Sequence, residues 1–347
     1  MGSDGQHISE ATVSGSLSVS GQVAAGRAAE EFLSGVDAMP STRETYRKAI
    51  YIYLGWLAET GRDINSLTTV DILAYKSDLL EVKKKSALTV NLYLSVVRKF
   101  YKWTKMKGYY PDIADGVSSV KARSSTFRKM HLESEEGARL LEYEATAKPI
   151  AGGDNDLTRM HRGIEEMIAM RNFAMVNLML RAGLRTIEVS RADVGDIVTK
   201  KGRRILKVWG KGHSEKDDFV VLTDEAFAPI EAYLRLRPGA LPEDPLFACE
   251  GLDSKGRRIS TRRIQAICKE GLRGIGLDGH EYSAHSLRHT TGTEILNNGG
   301  TMFDVQHVLR HATPATSQIY VNSIMEAKRL EEASERLLDK SFKKRGK

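Results

Sequence analysis

Cysteine is nearly absent. Cys249 and Cys268 are the only two in 347 residues, and their spacing matches neither a thiolate metal site nor a disulfide framework. A chain so poor in thiols fits a reducing cytosol. No apolar run approaches the ~20 residues that a membrane-spanning helix needs. The N-terminus also lacks the basic-then-apolar order of a secretion signal. The myristoylation pattern fails because Gln6 stands where Ser or Thr is required. A cytoplasmic, nucleoid-associated protein with no membrane partner is expected. His285 and His289, four apart, could form a metal pair on a helix. No glutamate lies between them and no cysteine cluster completes the set, so neither a metal nor another cofactor is expected.

Charge is present and unevenly spread. The formal net charge is +7 and the sequence pI about 9.2, a modest lean toward polyanionic partners. Between Lys83 and His131, twelve Lys and Arg face only Asp112 and Asp115, a local +10, so the remainder is slightly acidic. A localised basic segment is a stronger nucleic-acid signal than a basic average.

The N-terminal half reads as helical. Residues 1–26 are rich in Gly, Ser and Ala and are expected to be a disordered tail. A small helical bundle is expected over 27–110. Ala28–Leu33 forms a short helix, and Ser41-Thr42-Arg43-Glu44 is a capping box for a helix carrying Tyr46, Ile50, Tyr53 and Leu57 on one stripe. A second box at Thr68–Asp71 opens a segment with Ile72, Leu73, Leu79 and Leu80 for burial. Ser86 caps a fourth helix that turns Val90, Leu94, Val97 and Tyr101 inward and stops at Gly108. Its outer faces carry Lys99, Lys102 and Lys105, with Phe100, Tyr101 and Trp103 interleaved. A solvated helix face would explain one such helix. Further cations on both sides, including Lys121 and Arg123, favour a surface that follows a nucleic-acid backbone. Residues 111–131 read as a basic linker.

The second half mixes helix and strand, so the expected fold is mainly α, with a larger α+β domain over 132–325. Helices are expected at Glu133–Thr146 and Gly163–Ala182, the latter strongly apolar. Arg204–Trp209 and Phe219–Leu222 are β-branched runs flanking a polar turn, a hairpin signature. Asp224–Leu236 and Ser260–Ile275 follow as helices. The second of these displays Arg262, Arg263 and Lys269 as candidate phosphate contacts or groove readers.

The stretch from Ser283 to Tyr320 concentrates the chemistry. It reads S-A-H-S-L-R-H-T, breaks at Gly299-Gly300, and continues through a short helix at Thr301–Leu309, with Phe303, Val305, Val308 and Leu309 for burial, to L-R-H. Pro314 can open a further helix that carries Tyr320. His285 and Arg288 lie three apart on one helix face. With His311 they form a donor set suited to an anion with several oxygens. Tyr320, nine residues after His311, adds a nucleophile able to form an ester with phosphorus.

H-S-L-R-H-T, L-R-H and the tyrosine together resemble the active-site segment of the tyrosine recombinases, the phage-integrase family, in its two-domain Xer- or Cre-like form. That family usually has glycine where this chain has Arg310. The resemblance implies Arg185, in G-L-R-T-I-E, as a first catalytic arginine and Glu188 as an acid supporting Arg185 or His285. It places a catalytic lysine in the hairpin turn, where Lys211 fits and Lys216 is a rival. It also implies a helical core-DNA-binding domain and a strand-exchange enzyme acting on double-stranded recombination sites. The enzyme would use a 3′-phosphotyrosine and neither metal nor ATP, as a dimer on one site and a tetramer at synapsis, with accessory DNA-bending proteins left open. The tail, 326–347, carries Ala327, Leu330, Ala333 and Leu337 on one stripe. It would dock on a neighbouring protomer or fold back on its own domain. A type IB topoisomerase and a catalytically silent DNA-binding protein are the other readings.

Overall fold

The computed structural model describes residues 23–121, 130–146, 156–210, 215–250, 256–311 and 313. The chain divides into two compact units, Met1–Thr126 and Phe127–Lys347.

The first unit is built from helices α1 (23–35), α2 (Pro40–Glu59), α3 (Thr69–Ser77) and α4 (Ala87–Lys107), with a π-helical turn at Asp78–Val82. Helix α2 begins at Pro40, with Met39 at the N-cap and no side-chain cap. The box expected at Ser41–Glu44 therefore falls inside the helix. Proline fits the first turn because its fixed φ is already helical and its missing N–H has no partner to lose. The second box does form: the Asp71 carboxylate accepts from the Thr68 amide at 2.8 Å. Ser86 accepts from the Thr89 amide at 3.2 Å to start α4, and Gly108 ends it at φ 72°.

Val90, Leu94, Val97, Phe100 and Tyr101 of α4 are fully buried, each stabilising the fold by about 1.5–3 kcal/mol. Tyr101 points inward as its stripe predicts, and Phe100, expected to interleave with the cations of a binding face, belongs to the core as well. Trp103 is half-buried under the Lys107 ammonium. A helix of this hydrophobicity has to point its aromatics inward, whatever cations flank them in sequence. Tyr53, Tyr75 and Tyr101 gather beside Trp56, and the Tyr53 and Tyr101 hydroxyls satisfy each other at 2.8 Å. Leu73, expected inside, is 47% exposed because the inward stripe of α3 passes through Ile72 and Tyr75 instead.

Part of the stretch read as linker is packed on this unit. Ala114 and Val117 are buried in its core. The Asn91 amide clasps Val120 from both sides, donating to its carbonyl at 2.9 Å and accepting its N–H at 2.7 Å. Lys76 donates to the Ser118 carbonyl at 2.8 Å.

The second unit centres on α6 (Asp156–Ala182), which α5 (Ser134–Thr146), α8 (Asp224–Arg235) and α10 (Ala284–Asn297) pack against. Helix α6 starts earlier than its apolar pattern predicts. Ala174–Met179 forms its fully buried stretch. Short helix α7 (Thr186–Arg191) follows, then an antiparallel sheet β1 (Ile197–Lys200), β2 (Arg203–Val208) and β3 (Asp218–Val221) in that spatial order. The β2–β3 hairpin matches expectation. Strand β1 extends it, pairing Ile197 with Leu206 and Lys200 with Arg203. Helices α9 (Thr261–Gly274) and α11 (Met302–Leu309) complete the described α-helices. Phe303, expected to be buried, is 75% exposed and stacks on His307, while Val305 and Leu309 fill the interior. Four residues apart, those two share the inward face of this short helix.

Candidate functional site

Gly183 ends α6 at φ 59°, and a Cβ there would stand 2.4 Å from Leu309 Cδ2. The position therefore needs glycine both for its backbone and for the close approach of the α11 end. The tight turn brings Arg185 to the N-cap of α7. Its amide donates to Glu188 Oε2 at 2.8 Å and its Nη1 to Oε1 at 2.6 Å, so the carboxylate fixes both the turn and the guanidinium.

Helix α10 places His285 and Arg288 one turn apart. Arg288 is 2% exposed. Its two terminal nitrogens donate to the Gly183 carbonyl and the Leu309 carbonyl. Both acceptors are helix-end carbonyls that the helices cannot satisfy themselves, so one guanidinium ties three segments together. The helix is held by its threonines too: Thr291 donates to the Leu180 carbonyl at 2.7 Å, and Thr290 accepts the Leu132 amide at 2.8 Å. His285 is exposed, its ring 5.8 Å from that of His289. Arg185, His285 and Arg288 line one cleft of about 670 Å³, with Leu184, Thr186 and Gln265.

His311 follows α11 and is 8% exposed. Burial, then the positive charges of Arg288, Arg185 and Arg310, and then His285, push its pKa down to about 4. The imidazole is neutral at pH 7, with one N–H to donate and one nitrogen to accept. Glu188 responds the other way. Burial would raise its pKa, but Arg310, the Arg185 amide and the Arg185 guanidinium outweigh this and hold it below the ordinary carboxylate value.

Arg310 adopts φ 52° and ψ 53°, the left-handed conformation, at a cost on the order of 1 kcal/mol for a residue with a Cβ. Its side chain turns into the site and meets Glu188 Oε2 at 2.7 Å. Sequence reasoning weighed this residue only as a departure from glycine. Glu188 thus binds both Arg185 and Arg310.

Lys216 is held between Asp193 Oδ2 at 2.6 Å and the Asp196 carboxylate, and Arg258 closes the same cluster on Asp193. The ammonium is thus paired with two acids and anchors the hairpin turn. The signal for this was present in D-V-G-D, but acids with distant partners cannot be matched from sequence. Lys269, expected among the phosphate contacts, lines the same cleft and donates to the carbonyls of Asp278 at 2.8 Å and Gly279 at 2.6 Å. Arg262 is exposed, and Arg263 pairs with Glu270 at 3.2 Å. Lys99 lies over the Tyr46 ring, while Lys102, Lys105 and Lys121 are exposed. Lys211, Tyr320, Arg123, the helix expected at Pro314 and both terminal tails fall outside the described residues. No helix among the described residues is long and apolar enough to cross a membrane.

The cleft presents two arginines and a histidine beside a neutral buried imidazole, an arrangement for holding an anion whose charge grows during reaction. Comparison with known proteins points the same way. The sequence profile of the phage integrase family matches residues 154–327, and that of the phage integrase N-terminal SAM-like domain matches 30–108. Tyrosine recombinase XerC of Corynebacterium glutamicum is 30% identical over 268 residues, covering 76% of this chain and 83% of its own. Tyrosine recombinase XerD of Caulobacter vibrioides is 29% identical, covering 81% and 86%. Among solved structures, XerH site-specific recombinase in a post-cleavage complex with palindromic difH substrate superposes with a TM-score of 0.66 at 18% identity, covering 84% of this chain and 79% of that one. A lambda integrase dimer bound to a COC′ core site gives 0.61 at 14%, covering 85% and 96%. The shared fold, the profile match across both halves and the XerC relative establish that this chain belongs to the phage integrase family, as a tyrosine recombinase.

Proposed function

We propose that this chain cuts and rejoins double-stranded DNA at specific sites through a covalent bond between Tyr320 and a 3′-phosphate. The observation that carries the reading is the convergence of Arg185, His285 and Arg288 on one cleft, with His311 close enough for all three to act on its pKa. As the Tyr320 oxygen attacks phosphorus, the non-bridging oxygens gain charge, which Arg185 and Arg288 are suited to hold bidentately. His311 donates its N–H to the same oxygens. The tyrosine proton passes to His285 or to solvent. The bond from phosphorus to the 5′-oxygen breaks, and Lys211 supplies the proton that oxygen needs. A 5′-hydroxyl from a second strand then reverses the step. The phosphotyrosine conserves the energy of the broken bond, so neither ATP nor a metal enters.

DNA as partner is supported by the relatives solved on their sites and by the exposed Lys102, Lys105, Lys121 and Arg262. A dimer on one site and a tetramer at synapsis, coupled by the apolar stripe of 326–347, complete the proposal. The decisive experiment traps the covalent adduct on a nicked duplex. Wild-type protein should form it in excess EDTA, and Tyr320→Phe should bind the duplex yet form none. An adduct of normal yield from the variant would overturn the assignment. Strand transfer between two duplexes separates recombination from topoisomerase-like relaxation of one.

A further inference from the structure

Arg310 carries three local costs at once. Its backbone is left-handed, which a glycine reaches without strain. Its guanidinium is withdrawn from water, with the side chain 6% exposed. Its buried Nε has no hydrogen-bond partner among the described residues. Glycine at 310 would remove all three. A strained conformation held beside a reactive cleft is a reason to look for a role there.

The contacts of this side chain show what that role is. Nη1 donates to the Val308 carbonyl at 2.7 Å and so braces the guanidinium against its own helix end. Nη2 donates to Glu188 Oε2 at 2.7 Å. The same oxygen accepts the Arg185 amide at 2.8 Å, and Oε1 accepts Arg185 Nη1 at 2.6 Å. Three N–H groups therefore fix the two oxygens of one carboxylate, whose side chain is 5% exposed. Without Arg310, Glu188 would be shared only with Arg185. It could then rotate, and it would offset the one charge that Arg185 brings to the cleft. With Arg310, one acid stands between two guanidinium groups and the cluster stays positive.

We propose that Arg310 is a positioning residue that acts through Glu188 to orient the Arg185 guanidinium and keep it available to an anion in the cleft. This rests on the reading in which Arg185 meets the scissile phosphate. The groups that bear on His311 are Arg288 and His285 from α10, Arg185 from the turn before α7, and Arg310 beside it. Glu188 lies beyond Arg310. Loss of Arg310 removes a cation and leaves Glu188 less balanced, so the imidazole should accept a proton more readily.

The test compares Arg310→Gly and Arg310→Lys with wild type in the full-length chain. Melting temperature, single-turnover adduct formation at saturating nicked duplex, and the NMR titration midpoint of His311 without DNA are measured. Arg310→Gly should melt at the same or a higher temperature, form adduct about 10-fold more slowly, and titrate His311 at higher pH. Arg310→Lys should return the titration toward wild type and recover part of the rate. An Arg310→Gly protein with wild-type rate and unchanged titration overturns the proposal. So does one that melts lower while its His311 titration stays in place, since that is the result of packing alone. If wild-type protein forms no adduct, the covalent reading fails by itself. The titration still decides whether Arg310 governs the cluster.

Discussion

The two units bury different things. Among the described residues, Thr104 is the only buried polar residue of the first unit. The second buries Arg171, Glu188, Asp196, Glu250, Arg288 and His311, as well as Glu144. The helical bundle is organised by apolar area and aromatic contact, with two tyrosine hydroxyls paired in its centre. The larger unit accepts the cost of desolvating charge, which specific partners offset at Glu188 and Arg288. Where a fold buries ionised groups at that expense, the arrangement of those groups is what it was built to keep.

The sharpest way to test this contrast is one polar deletion in each unit. Arg288→Ala leaves the Gly183 and Leu309 carbonyls without their donor. It should cost about 2–4 kcal/mol by chemical denaturation and slow adduct formation by at least about 100-fold. Tyr101→Phe removes one hydroxyl of the paired tyrosines, with an expected loss of about 0.5–1.5 kcal/mol and no change in adduct rate at saturating DNA. Equal losses from the two would erase the distinction.

Protons offer a second test. Glu144 is buried, and desolvation, followed by the charge of Glu270, raises its pKa from 4.5 to about 7. Its folded pKa exceeds its unfolded one, so the folded state holds the proton more tightly. Stability from this group is full below pH 4.5 and is lost as pH rises to about 7. Glu144→Gln should therefore be more stable than wild type by about 2 kcal/mol at pH 8 and little changed at pH 4.5. His311 has the opposite sign. Its folded pKa of about 4 lies below the ordinary 6.5, so stability falls as pH drops through that interval, and His311→Gln should flatten the slope there. A first unit that shows no comparable slope in either window, followed through its own aromatic fluorescence, keeps the contrast intact.

The smallest effect belongs to the exposed cations of α4. Lys102→Glu and Lys105→Glu should leave stability within about 0.5 kcal/mol. They should weaken DNA binding across sequences and reduce the salt slope by roughly 1 for each phosphate no longer neutralised. An unchanged slope would make these lysines an ordinary solvated face.

Much of this was legible in the chain itself. The stripe at Val90, Leu94, Val97 and Tyr101, the stop at Gly108 and the hairpin at β2–β3 follow from local periodicity and turn chemistry, which need no distant partner. His285 and Arg288 were marked by their spacing. What local reasoning missed depended on long-range pairing. Nothing near Lys216 in sequence announced the Asp193 and Asp196 carboxylates on either side of it. Lys269 lines the cleft, but nothing local announced the carbonyls of the 278–279 turn to which it also donates. Arg310 looked like a disturbed turn, because the partner that explains it lies 122 residues away.

Arg288 has a consequence for the order in which the molecule is made. Its two acceptors lie 105 residues before it and 21 after it, so no nascent segment can seat this guanidinium by itself. During synthesis the Gly183 turn emerges first and waits for α10, and the α11 end comes last. Until Leu309 has left the ribosome, the arginine lacks one of its two anchors. The cleft lined by Arg185, His285 and Arg288 is thus fully braced only after the end of α11 has emerged. A chain that stops short of α11 would keep Arg288 with only the Gly183 carbonyl to hold it.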